Sequence, residues 1–171
     1  MTSLANQIQQ TVADLANACR SRALAVVVAE SCTGGWLSKV ITDQPGSSAW
    51  FDRGFVTYTN AAKRELLGVP EDILDQCGAV SEAAVAAMVD GALRHSHAQL
   101  SVAISGIAGP DGGSTDKPVG TVCLAWRREA ATMITQTTYL AGNREAVREQ
   151  AVLLALRGLL ALANGAASRV E

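Results

Sequence analysis

Histidine is nearly missing from this chain: its 171 residues contain two, His95 and His97, both in the polar stretch "RHSH". A histidine-based catalytic triad or a histidine metal pair therefore has little to build on. Charge is also sparse. Asp, Glu, Lys and Arg make up 18% of the residues, below the usual quarter, and the formal net charge is −2. No basic stripe bearing aromatics is present, which argues against direct nucleic-acid binding. Cys19, Cys32, Cys77 and Cys123 are scattered, with no Cys-x-x-Cys. That excludes the common zinc patterns and favours reduced thiols in a cytoplasmic protein over a disulfide framework. No apolar run approaches the roughly 18 residues that span a bilayer. The opening "MTSLANQIQQTVADLANACR" has polar and acidic residues throughout and reads as an amphipathic helix rather than a signal peptide. Gly-x-Ser-x-Gly, Ser-x-x-Lys, Walker A and a Gly-x-Gly-x-x-Gly before a helix are all lacking.

What is present is a regular alternation of helix and strand patterns within a length that suits a single domain over residues 1–171. Leu4, Ile8, Val12, Leu15 and Ala16 recur at helical spacing and predict a first helix ending near Arg22. Residues 23–29 form a short apolar run, as expected of a strand buried on both faces. A helix is predicted over residues 34–41, and a strand over 50–59. Asn60 is placed as the cap of a following helix closed by Gly68 and Pro70. Ser81 caps an alanine-rich helix to His95, and residues 100–105 read as a buried strand. Residues 119–127 and 131–140 read as an antiparallel hairpin. A long helix from Arg144 to Leu162 closes the chain. These elements predict an α/β fold, a three-layer α/β/α sandwich with a mixed, mostly five-stranded sheet. Val152, Leu153, Leu156, Leu159 and Leu160 on the last helix suit either core packing or a homodimer interface.

The chemistry-bearing stretch is "VVVAESCTGGWLSKV", residues 26–40, which hands a strand over to a helix. Open α/β sheets bind ligands at such strand ends. Ser31 or Cys32 could be a nucleophile there, or Ser31 could be a plain helix cap. Backbone N–H groups around Cys32, Thr33 and Gly34 could hold an oxyanion, and the glycines allow close approach. With no usable histidine, a serine would need a lysine as its base. Lys63, in "TYTNAAKRELL" beside Tyr58, lies near a helix start, where the dipole, burial and a cationic neighbour would each lower its pKa. An ordinary surface lysine is the competing reading. The loop "SGIAGPDGGSTDKPVG", residues 105–120, suits close approach to a planar or charged ligand, or a structural turn. Arg144, behind the capping residue Asn143, could meet a phosphate or a carboxylate. No cluster of side chains suggests a metal or another cofactor.

Four blocks together resemble one family. They are "AESCTGGWLSKVITDQPGSSAWFDRGFVTYTNAAK", "LLGVPEDIL", "GAVSEAAVAAM" and "ISGIAGPDGGSTDKPVGTVCLAW". They are similar to the CinA C-terminal family, in particular its stand-alone amidase members, over roughly residues 5–163. The resemblance implies hydrolysis of the carboxamide of nicotinamide mononucleotide, without the additional N-terminal domain found in some relatives. It also implies Ser31 as nucleophile, with Tyr58 and Lys63 as the tyrosine–lysine pair that moves its proton. Glu30, Asn60, Gly106, Ala108, Gly109, Asp111, Gly112 and Arg144 are the expected substrate-binding positions. Glu30 and Asp111 are the nearest candidates to balance the pyridinium charge or hold ribose hydroxyls, with an ordinary ion pair as the competing reading for Glu30. A non-catalytic nucleotide-binding or interaction module is the alternative from a different class.

Overall fold

The computed structural model describes residues 3–166. Helix α1 (Leu4–Arg22) leads into strand β1 (Val26–Glu30), helix α2 (Trp36–Thr42) and strand β2 (Phe51–Val56). Helices α3 (Asn60–Leu67), α4 (Glu71–Cys77) and α5 (Glu82–Arg94) follow, then strands β3 (Leu100–Gly106), β4 (Thr121–Arg128) and β5 (Ile134–Tyr139). Helix α6 (Arg144–Ala163) closes the fold. The sheet order is β2-β1-β3-β4-β5. β1 pairs in parallel with both β2 and β3, whereas β4 runs antiparallel to β3 and to β5. This is the mixed five-stranded sheet expected from the sequence.

Two-residue alternation divides the central strands between two cores. Val26, Val28, Leu100, Val102, Ile104, Val122, Leu124 and Trp126 face the layer of α1, α2 and α6. Val27, Ala29, Ala103, Cys123 and Ala125 face the layer of α3, α4 and α5. The first face carries the bulkier side chains. The second is nearly all small, so α5 can lie close against the sheet. Packing on the bulky side is tight at Gly158: a Cβ there would lie 2.2 Å from the Trp126 indole nitrogen. That nitrogen donates to the Ala155 carbonyl of the same helix at 3.1 Å. Val152, Leu153, Leu156 and Leu159 are buried in this same core, and Leu160 packs against it partly buried.

Local chemistry corrects two helix starts and adds one helix. α2 begins at Trp36 rather than residue 34, because Gly34 and Gly35 both have positive φ (60° and 97°), outside the right-handed helical region. Asn60 is not the cap of α3. Thr59 is extended, and its hydroxyl accepts the Ala62 N–H at 3.0 Å, which places Asn60 inside the helix. Helix α4 is not announced by periodicity; Pro70 precedes it, and Glu71 and Asp72 occupy its first turn. Ser81 and Asn143 cap α5 and α6 as their sequence positions predict, accepting from Ala84 and Ala146. No helix among the described residues is long and apolar enough to cross a membrane.

Candidate active site

β1 has β2 on one side and β3 on the other, and the chain leaves β1 first towards β2. The carboxyl ends of β1 and β3 thus flank a topological switch point, where open α/β sheets leave a crevice. Ser31 follows β1 directly, and its N–H donates to the Ile104 carbonyl of β3 at 3.0 Å. The chain then turns sharply, with Gly34 N–H closing onto the Ser31 carbonyl at 3.0 Å. Gly34, left-handed at φ 60°, makes the bend possible.

Across the crevice, α3 carries Lys63 down against this turn. Its Nζ lies 3.0 Å from Ser31 Oγ and 2.7 Å from the Thr57 carbonyl. Lys63 is 1% exposed and has no carboxylate partner among the described residues. Burial therefore holds its pKa below the ordinary lysine value, against a smaller opposing effect from Cys32. The expected cationic neighbour is not what lowers it. Cys32 is a poor rival to Ser31, because burial pushes its thiol pKa up to about 11 and leaves little thiolate at neutral pH.

Around this pair lies a cavity of about 220 Å³ lined by Ser31, Cys32, Tyr58, Lys63, Ala79, Val80, Ser105, Gly106, Ala108 and Arg144. Seven of the positions expected from the sequence are therefore brought together. Tyr58 does not stand between Lys63 and Ser31. It is exposed, and its hydroxyl accepts from Arg144 Nη2 at 3.0 Å, while Arg144 Nη1 donates to the Gly109 carbonyl at 2.8 Å. Arg144 thus has no carboxylate partner among the described residues, and it forms the rim of the cavity with Tyr58. His95 and His97 are exposed, and His97 N–H donates to Asp52, on strand β2.

Other expected positions fall elsewhere. Asn60, Asp111 and Gly112 are exposed and do not line the cavity. Gly109 contributes its carbonyl to Arg144. The Gly34 N–H is spent within the turn, so it is not a free oxyanion donor. Among the described residues the Thr33 N–H has no acceptor, and the Cys32 N–H has only its own sulfur within reach.

Glu30 is corrected most. It does not line the cavity: it is fully buried, on the β1 face that also carries Val26 and Val28. Its Oε2 accepts from Thr33 Oγ1 at 2.7 Å and from the Gly35 and Leu37 N–H groups, both at 3.0 Å. Its Oε1 accepts from the Ser38 N–H at 2.8 Å and the Ser38 hydroxyl at 2.7 Å. One carboxylate thereby satisfies the start of α2 and anchors the turn that carries Ser31. Glu30→Gln puts an amide nitrogen where an acceptor is needed and strands at least one buried N–H, at a cost of about 1–3 kcal/mol. We expect a lower urea midpoint together with reduced turnover, and a Glu30→Gln protein with wild-type stability would contradict this role.

Sequence reading does not single out Ala79, Val80, Ser105 or Arg148. Ser105 Oγ donates to the Ala79 carbonyl at 2.7 Å and so ties the 79–80 segment to the end of β3. Arg148, one turn beyond Arg144 on α6, donates to the Cys32 and Thr33 carbonyls.

Fold and site define an α/β/α domain with a buried serine–lysine contact at the switch point of its sheet. The chain belongs to the CinA C-terminal domain family, which it matches over residues 8–163. It is 51% identical over 154 residues to the nicotinamide-nucleotide amidohydrolase PncC of Escherichia coli (strain K12), covering 90% of this chain and 93% of that one. The protein of the same name from Pseudomonas putida is 56% identical over 137 residues, 80% of this chain and 85% of the relative. Among solved structures, the competence/damage inducible protein CihA from Agrobacterium tumefaciens matches with a TM-score of 0.90 at 42% identity, covering 95% of this chain and 99% of that one.

Proposed function

We propose that this chain hydrolyses the carboxamide of nicotinamide mononucleotide to nicotinate mononucleotide and ammonia, with Ser31 as nucleophile and Lys63 as base. One observation carries the mechanism: a buried lysine without a carboxylate partner among the described residues, its Nζ 3.0 Å from a serine hydroxyl, facing a cavity. The substrate is inferred from the names of the amidohydrolase relatives.

Neutral Lys63 takes the Ser31 proton directly as Oγ attacks the carboxamide carbon. The carbonyl oxygen becomes an oxyanion facing the Thr33 and Cys32 N–H groups. The tetrahedral intermediate collapses, the C–N bond breaks, and protonated Lys63 gives its proton to the leaving nitrogen. Water then attacks the Ser31 ester, its proton passing to Lys63 and on to Ser31 Oγ as nicotinate mononucleotide leaves. The pyridinium ring withdraws electrons from the carboxamide and, near Lys63, lowers the lysine pKa further.

A cavity of about 220 Å³ lies below the roughly 300–1,000 Å³ that encloses a drug-sized ligand. The ring end is enclosed, and the ribose phosphate extends over the Tyr58–Arg144 rim, where a guanidinium suits a phosphate. Purified protein incubated with nicotinamide mononucleotide is expected to release ammonia and nicotinate mononucleotide in equal amounts. Binding without ammonia release would overturn the amidase reading in favour of a nucleotide-binding module.

A further inference from the structure

Arg148 belongs to none of the sequence blocks that mark the site, and it does not line the cavity. It nevertheless reaches the backbone of the nucleophile turn across more than a hundred residues of sequence. Its Nε donates to the Cys32 carbonyl at 3.0 Å and its Nη2 to the Thr33 carbonyl at 2.9 Å. The guanidinium lies over the Trp36 ring, 5.2 Å from its centroid. We propose that Arg148 is a positioning residue that builds the oxyanion hole by fixing the orientation of the Cys32–Thr33 peptide. This inference rests on the amidase reading given above.

The reason lies in the peptide plane. In a trans peptide the carbonyl and the following N–H point in opposite directions. Holding the Cys32 carbonyl on the arginine side therefore holds the Thr33 N–H facing away from Arg148. The Thr33 carbonyl, held in the same way and also accepting the Trp36 N–H at 3.1 Å, turns the Gly34 N–H back to the Ser31 carbonyl. One peptide N–H is consumed in closing the turn, and the other is left without an acceptor among the described residues. Glu30 braces the same turn through the Thr33 hydroxyl and the Gly35 N–H.

A buried donor with no partner is costly in a resting protein. It is useful where negative charge develops during reaction, because a preorganised donor needs no reorienting then. Arginine suits the task better than lysine. Its planar fork reaches two carbonyls at once, and the stacked Trp36 ring holds the plane of the fork.

The test compares wild type, Arg148→Met and Arg148→Lys for kcat, KM and Tm. It also measures the affinity of each for nicotinate mononucleotide and for pyridine-3-boronic acid. The boronic acid adds Ser31 Oγ to give a tetrahedral anion, whereas the nucleotide product reports ground-state binding. Removing an oxyanion donor outright costs about 100–1000-fold, so misaiming one in Arg148→Met is expected to lower kcat about 10–100-fold. KM should stay within about threefold, because the interaction belongs to the transition state. Boronate affinity should fall by the same factor as kcat, while product affinity holds. Arg148→Lys, which cannot span both carbonyls, should fall between the two; it carries the test if Arg148→Met fails to fold. Wild-type kcat and boronate affinity in a folded variant would overturn the proposal. So would an equal loss of product and boronate affinity, which marks general damage to the site. A wild-type protein that releases no ammonia fails the amidase reading instead, and boronate affinity alone then decides the role of Arg148.

Discussion

Ser31→Ala is expected to lower the turnover of nicotinamide mononucleotide by about 10⁴–10⁶-fold, the range seen when a serine nucleophile acting together with its base is removed. Cys32→Ala should keep most of the activity. The contrast follows from their environments. Ser31 Oγ is 3.0 Å from a buried amine that can take its proton. The Cys32 thiol has its pKa pushed up to about 11 by burial. Ammonia release and acyl-enzyme formation, the latter read by mass spectrometry of quenched enzyme, check the prediction. A labelled Ser31 peptide is expected in wild type and none in Ser31→Ala. An active Ser31→Ala protein would reject the assignment. Stability should barely change, since the substitution removes one hydroxyl and leaves Lys63 bonded to the Thr57 carbonyl.

The fold was legible because the two periodicities are clean. Val26 to Ala29 form a short continuous apolar run, and Leu100 to Ile104 one broken only by Ser101, both between helical patterns, which is how strands covered on both faces read. Sheet order was not legible, because it depends on which neighbours meet across long connections. α2 was predicted to start too early, since a hydrophobic pattern running through Gly34-Gly35 does not reveal their left-handed backbone. Thr59 and Asn60 are both good caps in adjacent positions, and composition alone does not choose between them.

The site was legible where its residues sit at the ends of elements. Ser31 follows a strand, Lys63 lies in the early turns of a helix, and Arg144 opens one. Glu30 was readable in principle: alternation from Val26 and Val28 puts it on the face beneath α2, under the helix whose first N–H groups need acceptors. Arg148 was not, because nothing in "REAVREQ" separates an arginine on the surface from one that crosses to a turn more than a hundred residues earlier. The three influences expected on Lys63 also reduce, in the structure, to burial as the leading cause. Burial is a property of the assembled fold and has no local signature.

Replacing Lys63 carries the second large effect, and it separates catalysis from stability. Lys63→Met removes the base, and Lys63→Arg installs a group that stays protonated; both are expected to lower kcat by about 10³-fold or more. In wild type the neutral amine is the active form. kcat/KM should therefore fall as pH drops through the lowered pKa of Lys63 and level off above it. Stability follows the same group. Between that lowered value and the ordinary lysine value of about 10.4, the unfolded chain binds more protons than the folded one, so stability rises with pH across this window. At lower pH the folded protein bears the full cost of a buried ammonium. Lys63→Met has no such group. Its stability relative to wild type, from urea melts between pH 6 and pH 10, should be greatest at the acid end and shrink as pH rises. A constant offset from the lost contact to the Thr57 carbonyl leaves that trend unchanged. A pH-independent difference, or an active Lys63→Arg enzyme, would show that Lys63 is not the buried base. The same burial that keeps this lysine neutral, and so free to take a proton from a serine at moderate pH, thus makes it a destabilising residue in acid, and both follow from an amine enclosed without a counter-charge among the described residues.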